Sequence, residues 1–247
     1  MLDLAISAPP KARLIDFISL AKPRLSLLVI ATSAVGLWLA PGHLSKPSSF
    51  VALLSISMLV AAANALNCYL ERDVDSWMLR TQNRPLPACR LEPKSALSFA
   101  VLLALSALVL LLASTNVLTT TLGALAFVLY GLVYTPLKRK TPLALFVGAI
   151  PGAMPPLMGW TSVSGTIGAG GLSLFGFLFA WQLPHFLAIA LWLKEDYARG
   201  ALKVFPIVYG NRITRWALAA SVPLLWAISL LPYVCGIVTK AYLIAAC

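Results

Sequence analysis

Two stretches without a single charged residue set the terms for this chain. Residues 95–137 run 43 positions and residues 141–193 run 53 between one Lys or Arg and the next. A hydrocarbon layer about 30 Å thick is crossed by ~20 apolar residues in a helix. Each stretch is therefore two spans, parted by polar turns at Ser114, Thr115 and Asn116 and at SVSGTIGAGG, residues 162–171. Segments near 25–40, 50–70 and 216–233 add three more spans, and 241–247 reads as the start of an eighth, cut short. With 60% hydrophobic and 11% charged residues, the expectation is an all-α, polytopic transmembrane helical bundle over residues 1–247. It is a single membrane-embedded domain with no linker and no soluble part. Lys22 and Arg24 flank a first span that is followed by many others, so it reads as retained rather than as a cleaved signal.

The charges orient the bundle. Seventeen of the 19 Lys and Arg lie in the N-terminal tail and in the loops after the second, fourth and sixth spans; only Lys46 and Lys240 lie opposite. The positive-inside rule puts the crowded face, and the N-terminus, in the cytoplasm of an inner or plasma membrane. The net charge of +11 then reads as topology, or as topology together with an anionic ligand, not as a nucleic-acid signature; a basic face also attracts acidic lipids. All eight carboxylates share that face. Acids do little to set topology, so their gathering at the ends of spans two and six needs another cause, such as a shared metal ion. The four cysteines show no metal-binding spacing and read as free thiols.

The first acid cluster lies in NALNCYLERDVDSWMLRTQNRPLP, residues 64–87. If the second span's helix runs on past residue 70, Asn67, Glu71 and Asp75 share one face at i, i+4 and i+8. An amide and two carboxylates, with Arg72, Arg80 and Arg84 just beyond, suit a magnesium–diphosphate group. The plainer reading is a solvated helix end of mixed charge. The second cluster, Glu195 and Asp196 with Lys194, follows span six. His185 precedes Asp196 by eleven residues, which on one continuous helix places both on one stripe. A histidine at membrane depth is a functional candidate, or else a structural group bonded to a neighbouring helix near Pro184. Span five carries Gly148, Pro151, Gly152, Pro155, Pro156 and Gly159, which suits tight packing or a cavity for a bulky apolar ligand. The preceding loop places Lys138, Arg139 and Lys140 either within reach of a diphosphate or merely on the orienting side.

Together these motifs resemble the UbiA-type intramembrane prenyltransferases. NCYLERDVDSWMLRTQNRPLP is similar to that family's first acid motif, and YTPLKRKTP, GAMPPLMGW, WQLPHF and KEDY are similar to its protoheme IX farnesyltransferase branch. The resemblance runs from about Lys22 to Phe205. It implies a bundle of usually nine spans, against the seven and a partial eighth counted here, so the chain reads as shortened at its C-terminus. It also implies two acid motifs facing one cavity, and transfer of a farnesyl group from farnesyl diphosphate to heme B, giving heme O. By the same carry-over, Asn67, Glu71, Asp73, Asp75, Glu195 and Asp196 are the catalytic acid motifs, with Glu71 standing where most members have Asp. Glu71, Asp75 and Asp196 would hold Mg2+. Arg72, Arg80, Arg84, Lys138, Arg139 and Lys194 would contact the diphosphate, and His185 and Trp181 the heme. The lipid bilayer and heme-pathway proteins complete the partners it implies. A quinone-precursor prenyltransferase is the nearest alternative, and an acceptor assay with heme against 4-hydroxybenzoate separates the two. A transporter would place charged or broken-helix sites near the midplane, whereas these acids sit at helix ends.

Overall fold

The computed structural model describes residues 13–246; Lys11 and Cys247 lie outside the described residues. A short helix α1 (Leu14–Ala21) turns at Lys22 into α2 (Pro23–Leu39), followed by α3 (Lys46–Trp77), α4 (Pro93–Ser114) and α5 (Val117–Val128). The last continues through a π-helical turn, Leu129–Tyr134, into α6 (Thr135–Leu137). Then come α7 (Ala144–Ser164), α8 (Ala169–Trp192), α9 (Lys194–Arg199), α10 (Phe205–Val208), α11 (Gly210–Ser229), α12 (Leu231–Val234) and α13 (Lys240–Ala246). All seven expected spans are helical. Among the described residues, five segments are long and apolar enough to cross a membrane: α3, α4, Val117–Leu137, α8 and Gly210–Val234. The eighth-span stub is α13, seven residues long.

Helix α3 is the most enclosed of those five, and the other elements are arranged around it. It packs on α4 through small residues, Ala62 and Ala65 on one side and Ala96, Ala100, Ala104 and Ala107 on the other. In a bilayer no hydrophobic drive separates helix from lipid, so close backbone approach is what holds such pairs together. Across the bundle α2 lies against α7, and α7 against α8. The α2–α7 seam is tightest at two glycines. A β-carbon at Gly36 would run into the backbone oxygen of Pro156, and one at Gly159 into that of Ser33.

Three prolines lie inside α7, yet the helix is continuous. Each proline removes one backbone donor, and burial of all three, with residues 153–162 around the last two, keeps the weakened ladder away from lipid. Gln182 of α8 donates to the backbone oxygen of Ala149 (3.1 Å) at the same level.

The expected stripe joining His185 to Asp196 does not form. Helix α8 stops at Trp192, Leu193 leaves helical geometry (φ −99°, ψ 21°), and Asp196 sits on the separate α9. Eleven-residue spacing fixes a common face only while one helix lasts, and this one ends at the membrane boundary.

The seam carries a stability prediction. Gly159→Ala should cost roughly 1–3 kcal/mol through overpacking, read as a lowered thermal midpoint in detergent. Gly176→Ala, whose β-carbon would meet only Ile228 Cγ2 at 3.7 Å, should leave the midpoint unchanged or raise it.

Candidate active site

Length explains where the first acid cluster lands. Helix α3 has 32 residues, about 48 Å at 1.5 Å per residue, against a hydrocarbon layer of about 30 Å. Its last turns therefore reach past the apolar layer, and they carry Asn67, Glu71 and Asp75. All three are buried, on one face, as the i, i+4, i+8 spacing requires. Asp73 points the other way and is exposed, 3.8 Å from Arg72.

Each buried carboxylate is met by a cation from a different loop. Arg84 Nη1 donates to Asp75 Oδ2 at 2.7 Å, and Thr81 Oγ1 ties the same loop to the Asp75 backbone oxygen at 2.9 Å. The Lys138 ammonium closes directly on Glu71 Oε1. Burial works against charge on Lys138, but Glu71 and the neighbouring tyrosines together hold its pKa above the usual lysine value. At Arg84 burial again opposes the charge and Asp75 outweighs it. Leaving either carboxylate unpaired here would cost several kcal/mol.

Asn67 is fixed from the π-helical turn. Its Nδ2 donates to Thr135 Oγ1 (3.1 Å), and that hydroxyl donates to the Tyr130 backbone oxygen (2.8 Å).

A hydrogen bond ties the second cluster to the first. Leu79 N donates to Asp196 Oδ1 at 2.7 Å, linking α9 to the loop just after α3. Glu195 is exposed. Among the described residues no group of three or more His, Cys, Asp or Glu is close enough to hold one metal ion. Even so, Asp75 Oδ1 and Asp196 Oδ2 are buried without a hydrogen bond, and Glu71 Oε1 is met by the Lys138 ammonium, a partner a metal ion could replace. Hard oxygens left open in this way are the donor set that Mg2+ takes, so the residues fit the ion.

The remaining expected phosphate contacts are spread over the rim. Arg80 lies over the Tyr197 ring at 6.0 Å, Arg72 donates to its own helix at Tyr69 O, and Arg139 donates to Leu70 O at 2.9 Å. Lys194 bonds Asn211 Oδ1 at 3.0 Å.

One cation at the cluster had been counted only toward topology. Lys22, in left-handed geometry (φ 49°) at the α1–α2 turn, lies near Glu71, Cys68, Arg84 and Lys138, and burial lowers its pKa from the ordinary lysine value. The turn before Pro23 was the available signal, since a cation forced into an unusual backbone state often serves a purpose. Thr135 was missed for a different reason: its role depends on the π-turn, which no sequence pattern announced.

Next to the carboxylates lies a cavity of about 330 Å³, framed by α2, α3, the π-turn, α7 and α8. Aliphatic residues, Met, Pro and Phe form most of its wall, and Tyr130, Tyr134, Gln182, Asn64 and His185 interrupt it. His185 stacks on Trp181 with centroids 4.8 Å apart. The glycine- and proline-rich helix thus does both things expected of it. It packs tightly at Gly159, and it gives Gly148, Pro151, Gly152 and Pro155 to the cavity wall.

The profile of the UbiA prenyltransferase family matches residues 29–247. The protoheme IX farnesyltransferase of Anaeromyxobacter dehalogenans (strain 2CP-C) is 51% identical over 98% of this chain and 82% of its own length. That of Myxococcus xanthus (strain DK1622) is 49% identical over 94% of this chain and 79% of its own. Among solved structures, a UbiA homolog from Archaeoglobus fulgidus bound to DMAPP and Mg2+ superposes with a TM-score of 0.70 at 17% identity, covering 94% of this chain and 85% of that one. At that identity the likeness is one of fold.

The Asn67 clamp makes a clean prediction. Thr135→Val removes the hydroxyl at nearly constant volume and should weaken binding of a prenyl diphosphate with magnesium by about tenfold, a charge-assisted contact's worth. Thr135→Ser should restore it. Titration calorimetry in detergent reads both.

Proposed function

The chain belongs to the UbiA prenyltransferase family, and from that premise we propose that it transfers the farnesyl group of farnesyl diphosphate to a vinyl group of heme B, releasing diphosphate and leaving heme O. The curated relatives at 49–53% identity are protoheme IX farnesyltransferases. The observation that carries the reading is the adjacency of two environments. Buried carboxylates, with Asp75 Oδ1 open, sit at the end of α3, and an apolar cavity begins at Asn64, one helical turn inward from Asn67 and two from Glu71. An allylic diphosphate needs both: a charged seat for its head and a dry one for its tail.

Glu71, Asp75 and Asp196 would hold Mg2+, which when bound supplies Lewis-acid stabilisation of the departing diphosphate. Lys138, Arg84 and Lys22 stand where phosphate oxygens can replace carboxylates as their partners. Arg72, Arg80, Arg139 and Lys194 contribute positive potential at the rim. Loss of the diphosphate leaves positive charge on the allylic carbon, and the apolar wall keeps bulk water from it. The stacked pair of Trp181 and His185 offers a flat face for a porphyrin, and this favours heme over a small quinone precursor. We place the acid clusters on the cytoplasmic side of the inner or plasma membrane, where 17 of 19 basic residues would lie.

A membrane assay with farnesyl diphosphate, heme B and magnesium tests the reading directly; no farnesylated heme from the wild type would reject it. Asp75→Asn should lower turnover at least ~100-fold while the protein still inserts and purifies as a single species. His185→Ala should weaken heme binding in a spectroscopic titration. An unchanged spectrum and affinity would remove His185 from the heme seat.

A further inference from the structure

Asn64 is the one amide on the cavity wall without a role so far. It is 2% exposed, and its Nδ2 has no hydrogen-bond partner. The other amide there, Gln182, is bonded twice, to the backbone oxygens of Ala149 and Leu178, both at 3.1 Å. An unpaired amide in an apolar wall is costly, and Leu or Met would fill the space without that cost. The position matters too. Asn64 stands three residues before Asn67 on the same helix, one turn inward from the diphosphate seat, where the head of a donor gives way to its hydrocarbon.

On the reading given above, few polar species reach that point. The farnesyl chain is hydrocarbon, and the diphosphate belongs to the carboxylate cluster. The heme's propionates are charged, and no Lys or Arg lines the cavity. What remains is the water molecule that the reaction consumes. We propose that Asn64 is a positioning residue that holds this single water against the carbocation formed on the heme vinyl group.

The electron balance is as follows. The C1–O bond of farnesyl diphosphate breaks and its pair leaves with the diphosphate. The vinyl π pair forms the new bond to C1, and the vinyl carbon next to the porphyrin becomes cationic. Water that accepts from Asn64 Nδ2 keeps a second lone pair, which forms the C–O bond. Its surplus proton passes to the diphosphate released in the same turnover. When no water is held, the cation loses a proton from the adjacent carbon instead, and the product is an alkene lighter by one water.

This inference rests on the proposed reaction, so the test reads the product rather than the rate. Asn64→Leu and Asn64→Ala, each purified as a single species in detergent, are incubated with farnesyl diphosphate, heme B and magnesium in 18O-water. Porphyrin products are resolved by mass. The ratio of alkene to 18O-labelled alcohol should rise about tenfold or more over wild type, the rate equivalent of one hydrogen bond. Two results overturn the proposal. One is an unchanged product ratio in either folded variant; the other is a folded variant that makes neither product, which makes Asn64 part of substrate binding. A wild type that makes no farnesylated porphyrin would instead sink the reaction itself, so the two failures are distinguishable.

Discussion

Two negative side chains that the membrane boundary would otherwise reject hold this site together. Glu71 and Asp75 are buried at the end of α3, and each is tolerated because a cation from outside the helix comes to meet it. Arg84 arrives on the loop after α3, and Lys138 on the turn after α6. Those two contacts pull two segments onto one helix end, and Asp196 brings a third through the backbone of Leu79. Polar groups at a water boundary thereby define a chamber whose walls are almost wholly hydrocarbon.

The same contacts explain how a strongly anionic ligand finds a seat among carboxylates. The site carries its own cations, held in place by the acids beside them. A metal ion and a diphosphate offer each side an alternative partner of like sign to the one it leaves. The charge is redistributed rather than created, which keeps the desolvation cost of ligand entry low. Apolar packing does the rest, because the α2–α7 seam and the alanine face of α4 fix the helices without polar contacts inside the bilayer.

Much of this was legible in the sequence. The spans, the turns at Asn116 and at 162–171, and the shared face of Asn67, Glu71 and Asp75 follow from run lengths and helical period alone. The pairings were not, because sequence spacing says nothing about which loop folds over which helix end. Lys138 reads from the sequence as a candidate diphosphate contact and Lys22 only as a topology marker, and only the fold brings both to Glu71. The stripe from His185 to Asp196 failed at Leu193, where α8 ends; nothing short of a Gly or Pro would have announced that break. Asn64 was hidden by its surroundings in another way, since its lack of a partner becomes visible only once the wall around it is built.

The π-turn at Leu129–Tyr134 has a consequence for how the site is inherited. It holds one residue more than an α-helix would need, and everything after it is rotated by that excess. A chain with every functional side chain intact, but with that turn relaxed to α, would carry Thr135 and Lys138 about 100° away from Asn67 and Glu71. The site is thus specified in phase as well as in chemistry: a shorter turn closed as α would keep that phase, whereas the same residues closed as α would lose it with no side chain changed.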